Sequence, residues 1–134
     1  MKEKEYQFET EFLVRDYEVD LQGVVNNANY MHYLEHARHL FLLSKGVDFA
    51  AMHDEGKDLI VTRAELKYRS PLKSKDRFII KQYVLKEGHV QIAFIQDIFR
   101  LPDNKPVLSA KITGACLNGG KPVVPDEVLR ALNL

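Results

Sequence analysis

VRDYEVDLQGVVNNANYMHYLEHAR, residues 14–38, divides into the end of a strand, a short polar turn and the first half of a long helix. Tyr30, Tyr33, Leu34, Ala37 and Phe41 recur at i, i+3, i+4, i+7 and i+11, the single apolar stripe of a helix packed on one side. The spacing predicts a helix from about Asn29 to Lys45. Asn26, Asn27 and Asn29 are all suitable caps, and Gly46 supplies the stop. The run Leu40-Phe41-Leu42-Leu43 is apolar nearly all round, which predicts burial of the helix end on several sides. The turn before the helix gathers Asp20, Gly23 and the asparagines. A carboxylate just upstream of a helix N-terminus is placed for general-base or nucleophilic chemistry. The first helical N–H groups lack intrahelical partners and can polarise a carbonyl held against them. The competing reading is a turn acid that serves only the helix dipole.

Working outward, Tyr6, Phe8, Thr10, Phe12 and Val14 alternate with Gln7, Glu9 and Glu11, the period of a half-buried strand. Beyond the helix comes a connector with a short helical turn around Phe49 to His53. Strand character follows in Leu59 to Tyr68, Arg77 to Lys86, Val90 to Leu101 and Pro106 to Leu117. The breaks Glu87-Gly88-His89 and Pro102-Asp103-Asn104-Lys105 are hairpin-sized, so these strands are expected to run antiparallel. Pro125 to Leu132 reads as a terminal helical turn or two. The expected class is α+β, one long helix packed on an antiparallel meander, in a single domain over residues 1–134.

Composition narrows the function. The chain has 134 residues, 46% hydrophobic and 28% charged, with 19 basic and 19 acidic side chains. A balanced charge argues against nucleic acid as the main partner, because phosphate binding leaves a basic footprint. The lone Cys116 lies in an apolar alternating run and reads as a buried structural thiol, with no disulfide framework. No stretch has the length of a signal-peptide core or a membrane span, so a cytoplasmic protein without stable membrane association is expected. His32, Glu35, His36 and His39 share one helical stripe, and HYLEH matches a zinc-peptidase pattern. No further ligand is marked downstream, so no metal is expected and a polar face or subunit contact is the plainer account.

The acidic pair Glu18 and Asp20, the run Gly23-Val24-Val25 and the helix-opening Asn29-Tyr30 together resemble the signature of the hotdog-fold acyl-CoA thioesterases, in the 4-hydroxybenzoyl-CoA thioesterase-like branch. Tyr68-Arg69-Ser70-Pro71 is similar to that family's strand-ending Tyr-x-x-Pro, so the resemblance covers most of Tyr6 to Leu117. It implies a hotdog fold, a curved antiparallel sheet of about five strands wrapped around one central helix. It also implies acyl-CoA hydrolysis with no metal or cofactor, coenzyme A being part of the substrate. Asp20 matches the family's catalytic aspartate, and the backbone N–H of Asn27 matches the group that polarises the carbonyl. Relatives carry histidine or tyrosine at position 27, so backbone donation survives here while imidazole help is lost. Glu18, two residues from Asp20, would face the other way and serve structure.

Gly23, Val25, Asn29 and Tyr30 are then expected around the substrate, with Glu35 as an active-site or dimer-contact acid. Arg63, Lys67 and Arg69 are expected to meet the coenzyme A phosphates. Lys73, Lys75, Lys86 and His89 are further cations nearby. The family builds its site across a dimer interface and often forms tetramers, and a single curved sheet leaves an edge to cover. Three rivals share the fold: a thioesterase acting on an acyl carrier protein, a non-catalytic acyl-binding module, and a dehydratase needing a histidine–acid pair.

Overall fold

In the computed structural model, which describes residues 5–134, the helix predicted from the apolar stripe is α1, Asn27–Ser44. The first four residues of the N-terminal stretch lie outside that range. Of the candidate caps Asn26 is the one used: its Oδ1 accepts the Asn29 N–H at 3.0 Å, and the helix starts two residues earlier than the stripe alone indicates. At the other end the Val47 N–H donates to the Leu42 carbonyl and the Gly46 N–H to that of Leu43, with Gly46 at φ +80°. This is a Schellman stop, and only glycine takes that φ freely.

The strands are β1 (Phe8–Leu13), β2 (Lys57–Tyr68), β3 (Arg77–Glu87), β4 (Gln91–Leu101), β5 (Lys105–Asn118) and the short β6 (Lys121–Pro122). Two short helices, α2 (Phe49–Asp54) and α3 (Asp126–Ala131), complete the chain. The main sheet runs β1-β3-β4-β5-β2, and every pairing is antiparallel. The expected meander holds for β3, β4 and β5. It fails for β2, which pairs with β5 at the far edge rather than with β3. The segment after β2 crosses beneath the start of α1, burying Leu72, before β3 begins.

The sheet curls around α1. Tyr30, Tyr33, Leu34, Ala37 and Phe41 are all buried, against Phe78, Ile80, Phe94, Ile98, Leu108 and Ile112. Burying the larger of these side chains contributes about 1.5–3 kcal/mol each relative to exposure, and Ala37 less. The expectation of a helix end buried on several sides is only half met. Phe41 and Leu42 are buried, but Leu43 is 53% exposed, because the sheet covers one side and Leu43 falls on the other. Cys116 is buried, and burial pushes its thiol up to about 11, which keeps it unreactive near neutrality. Among the described residues no helix is long and apolar enough to cross a membrane.

Candidate active site

Asp20 opens a tight turn closed by its own backbone. Its N–H donates to the Val24 carbonyl at 2.9 Å, and the Gly23 N–H returns to the Asp20 carbonyl at 3.0 Å. Gly23 sits at φ +78°, so the turn depends on glycine there. Asp20 Oδ1 accepts the Gln22 N–H at 2.8 Å, which orients an otherwise exposed carboxylate.

Both ends of the turn are tied down. The Val25 N–H donates to the Leu72 carbonyl, and the Leu72 N–H to the Tyr30 hydroxyl at 3.2 Å. From the helix, Asn29 Nδ2 donates to the Glu18 carbonyl at 2.8 Å. Burial pushes the Tyr30 hydroxyl above the usual phenol range, although the Leu72 N–H opposes the shift. Tyr30 is thus held as a neutral strut.

At the start of α1 the N–H groups of Asn27 and Ala28 have no intrahelical acceptor. A cleft of about 320 Å³ lies there, lined by Val25, Asn27, Tyr30, Tyr68, Arg69 and the Ser70-Pro71 corner. Four of the sequence-predicted residues, Val25, Asn27, Tyr30 and Arg69, therefore meet in one place, with Gly23 and Asp20 in the adjoining turn. The rest are dispersed. Asn29 faces the other flank of the helix, Glu35 lies two turns further along it, and Arg63 pairs with Glu65 at 2.9 Å. Lys67 lies beside Ile95 and Ser109 on the sheet surface turned away from α1.

On the β1 flank of α1 a second hollow, about 570 Å³, is lined by Phe12, Arg15, Glu18, Asn29, His32 and Tyr33 among others. Glu18 is 5% exposed here, in a single 3-10 turn (Asp16–Glu18) rather than on a continuing strand. The expected continuing strand is not there, since β1 has already ended at Leu13, and Glu18 is instead tied to Arg15 within the turn. Burial opposes its ionisation, yet hydrogen bonds from the Arg15 guanidinium and N–H, with Tyr33 beside them, hold the carboxyl below its usual range. Burial, and then this carboxylate, push the Tyr33 hydroxyl well above the phenol range. His36 packs edge-on to Phe12, and among the described residues no His, Cys, Asp and Glu side chains gather as a metal site.

The sequence reading missed Arg38, which is 6% exposed and hydrogen-bonded to the fully buried Gln96. Its signal was available: Leu34, Arg38 and Leu42 fall on one stripe at i, i+4, i+8, so the apolar side of the helix contains a cation.

Residues 14–132 match the thioesterase-like superfamily. Over 122 residues, 90% of this chain, the sequence is 42% identical to a chloroplastic acyl-acyl carrier protein thioesterase of Arabidopsis thaliana; the matched region spans 64% of that relative's length. A crystal structure of a hypothetical protein from Aquifex aeolicus superposes with a TM-score of 0.87 at 32% identity, covering 93% of this chain and 98% of that one. A 1,4-dihydroxy-2-naphthoyl-CoA thioesterase from Synechocystis shares the fold at a TM-score of 0.88 and 18% identity, covering 94% and 95%.

Proposed function

The chain belongs to the thioesterase-like superfamily, and from that premise we propose that it hydrolyses the thioester of an acyl- or aroyl-CoA to the free acid and coenzyme A. The observation that carries this reading is a helix start with unpaired N–H groups at Asn27, opening on an aromatic-walled cleft beside the tethered turn of Asp20.

The thioester carbonyl oxygen faces the Asn27 N–H, where the helix dipole favours the negative charge formed on attack. Asp20 either attacks the carbonyl carbon directly or takes a proton from the water that does. Collapse of the tetrahedral species expels the thiolate, a stable leaving group, which then takes up a proton. In the direct route, water next cleaves the acyl–aspartate and regenerates the carboxylate. Val25, Tyr30 and Tyr68 wall the acyl group, while Arg69, the cation that lines the same cleft, meets phosphates of the carrier arm. No metal or cofactor enters the scheme.

The active unit is a dimer, formed where β2 pairs with a second copy of itself. β2 is a long edge strand whose Ile60, Val61 and Tyr68 are 47%, 46% and 50% exposed, and a bare apolar edge of this kind invites pairing. Antiparallel self-pairing brings the Glu35 flank of one protomer toward the helix start of its partner. Pairs of such dimers can assemble into tetramers.

A second reading has its own support. The Arabidopsis relative is an acyl-acyl carrier protein thioesterase, so a carrier protein in place of coenzyme A is the main alternative. Thiol release from short, long and aromatic acyl-CoAs and from acyl carrier proteins, with wild type beside Asp20→Asn, tests both. Loss of about 10²-fold or more in kcat, with the fold intact, is the expected result. Equal, negligible release by both proteins across all substrates would leave an acyl-binding module.

A further inference from the structure

Arg38 is the buried cation among the described residues, and the side chain it hydrogen-bonds carries no charge. Its Nη1 donates to Gln96 Oε1 at 3.2 Å. That oxygen is aimed by the rest of the amide, because Gln96 Nε2 donates to the Leu34 carbonyl and to Gln82 Oε1, each at 3.0 Å. Gln82 Nε2 in turn donates to the Ala37 carbonyl at 2.9 Å. The chain of amides is neutral throughout. It anchors the guanidinium and supplies no counter-charge.

A guanidinium carries five N–H donors and stays protonated in proteins. One is used, and no acid among the described residues forms an ion pair with Arg38. A buried ion left in that condition is costly unless a partner arrives. A tie between α1 and β4 would need only a neutral donor.

The guanidinium lines a cleft of about 440 Å³ on the β2 flank of α1, with Ala50, Leu59 and Val61 as apolar walls. The charged groups at the rim have partners of their own. His53 Nδ1 meets Asp58 Oδ1 at 2.7 Å, and Lys57 meets Glu127 at 2.7 Å and Glu55 at 3.3 Å. His39 lines the cleft too, and Glu35, one turn before Arg38, favours the guanidinium's charge from the cleft lining without forming an ion pair.

We propose that Arg38 is an oxyanion receptor, whose remaining N–H donors take a carboxylate or phosphate group of the thioester substrate held at the neighbouring protomer's helix start. The placement rests on the dimer and thioesterase reading above. The Arg38 cleft borders one end of β2 (Lys57 to Val61), the candidate active site the other (Tyr68), and antiparallel self-pairing brings these ends together. The anion has two possible sources, the phosphates of the carrier arm or a carboxylate on the acyl group. A planar carboxylate or phosphate edge suits the guanidinium fork.

The test uses the full chain, wild type and Arg38→Met, whose unbranched side chain fills the stem of the arginine. Melting is followed in sodium phosphate and in sodium acetate against sodium chloride of equal ionic strength. KM is measured for hexanoyl-CoA, hexanoyl-N-acetylcysteamine and adipoyl-N-acetylcysteamine. The wild type is expected to gain stability from at least one of the two anions, and Arg38→Met to lose that response. KM for the anion-bearing substrate should rise about tenfold or more in the variant, with hexanoyl-N-acetylcysteamine unaffected. A rise with hexanoyl-CoA identifies the phosphate, and a rise with the adipoyl thioester the carboxylate.

No anion response in the wild type, or the same response in both proteins, overturns the proposal. Should Arg38→Met not fold, Arg38→Lys replaces it: loss of the fork should weaken both readouts, and wild-type values in both overturn the assignment. A wild type inactive on every thioester sinks the catalytic reading alone, since the melting comparison still decides whether Arg38 receives an anion.

Discussion

On the β1 side of α1 the buried carboxylate of Glu18 accepts from the Arg15 N–H at 2.8 Å and from its guanidinium at 3.1 Å. On the β2 side the buried guanidinium of Arg38 hydrogen-bonds a neutral amide and forms no ion pair among the described residues, with Glu35 acting on it only at a distance. On the first flank the buried charge is matched within one chain, and hydrogen bonds run on through the Glu18 carbonyl to Asn29 and so to the start of the helix. The second ends in a strand edge, exposed apolar residues and a buried cation without an ion pair. The difference separates two tasks. One side holds the Asp20 turn in place, and the other, on the dimer proposed above, is completed by a second copy.

The sharpest way to break this contrast is to spoil the unfinished side. Val61 is half exposed on β2, so Val61→Lys costs the single chain little. In a β2–β2 interface the same lysine buries a charge twice, once from each copy. Sedimentation should show the dimer replaced by monomers, and activity should fall about 10²-fold or more as each site loses its second wall. A variant that stays dimeric and active, or a wild type already monomeric and active, would dismiss the idea that the β2 flank needs a second copy.

What could be read from the residues divides along the same line. The α1 stripe, the alternation of β1 and the hairpins of β3 to β5 are local patterns, and local sterics and burial determine them. Glu18 was expected to face away from Asp20 on a continuing strand, but the strand ends at Leu13 and Glu18 is buried in a 3-10 turn, which alternation alone does not announce. The placement of β2 beyond β5 depends on a crossover past Leu72, and pairing between distant strands leaves no local mark. Asp20, Asn27 and Tyr30 could be gathered because they surround one helix start. Glu35 could not be joined to them, since along one helix it lies two turns away. Residues whose partners lie within a few positions were legible, and those awaiting another strand or another molecule were not.

On the finished side the effects are smaller and more specific. Asn29 was expected to touch substrate, yet its Nδ2 is committed to the Glu18 carbonyl. We propose that it acts as a positioning residue, holding the Asp20 turn against the helix. Asn29→Ala should lower kcat about tenfold through misplacement of the carboxylate, with KM little changed. In an Asp20→Asn background the same substitution should cost nothing further, because there is no longer a carboxylate to position. A rise in KM with kcat preserved would return Asn29 to direct substrate contact, and full additivity with Asp20→Asn would dismiss the positioning role.

Glu18→Gln should change activity least and show mainly as a pH dependence. The amide loses the charge that Arg15 and Tyr33 meet, so stability at neutral pH should drop by about 1–3 kcal/mol. Because the Glu18 carboxyl is held below its usual range in the folded chain, its contribution is complete above the unfolded value of about 4.3 and lost as pH falls through the lower folded value. Urea midpoints of wild type and Glu18→Gln, taken from pH 7 down to pH 3, should therefore run parallel at first and converge only below about pH 4. A gap that persists unchanged to pH 3 would mean that Glu18 stabilises through shape rather than charge. The β1 flank would then be packed closed rather than electrostatically matched, and its contrast with Arg38 would lose its basis.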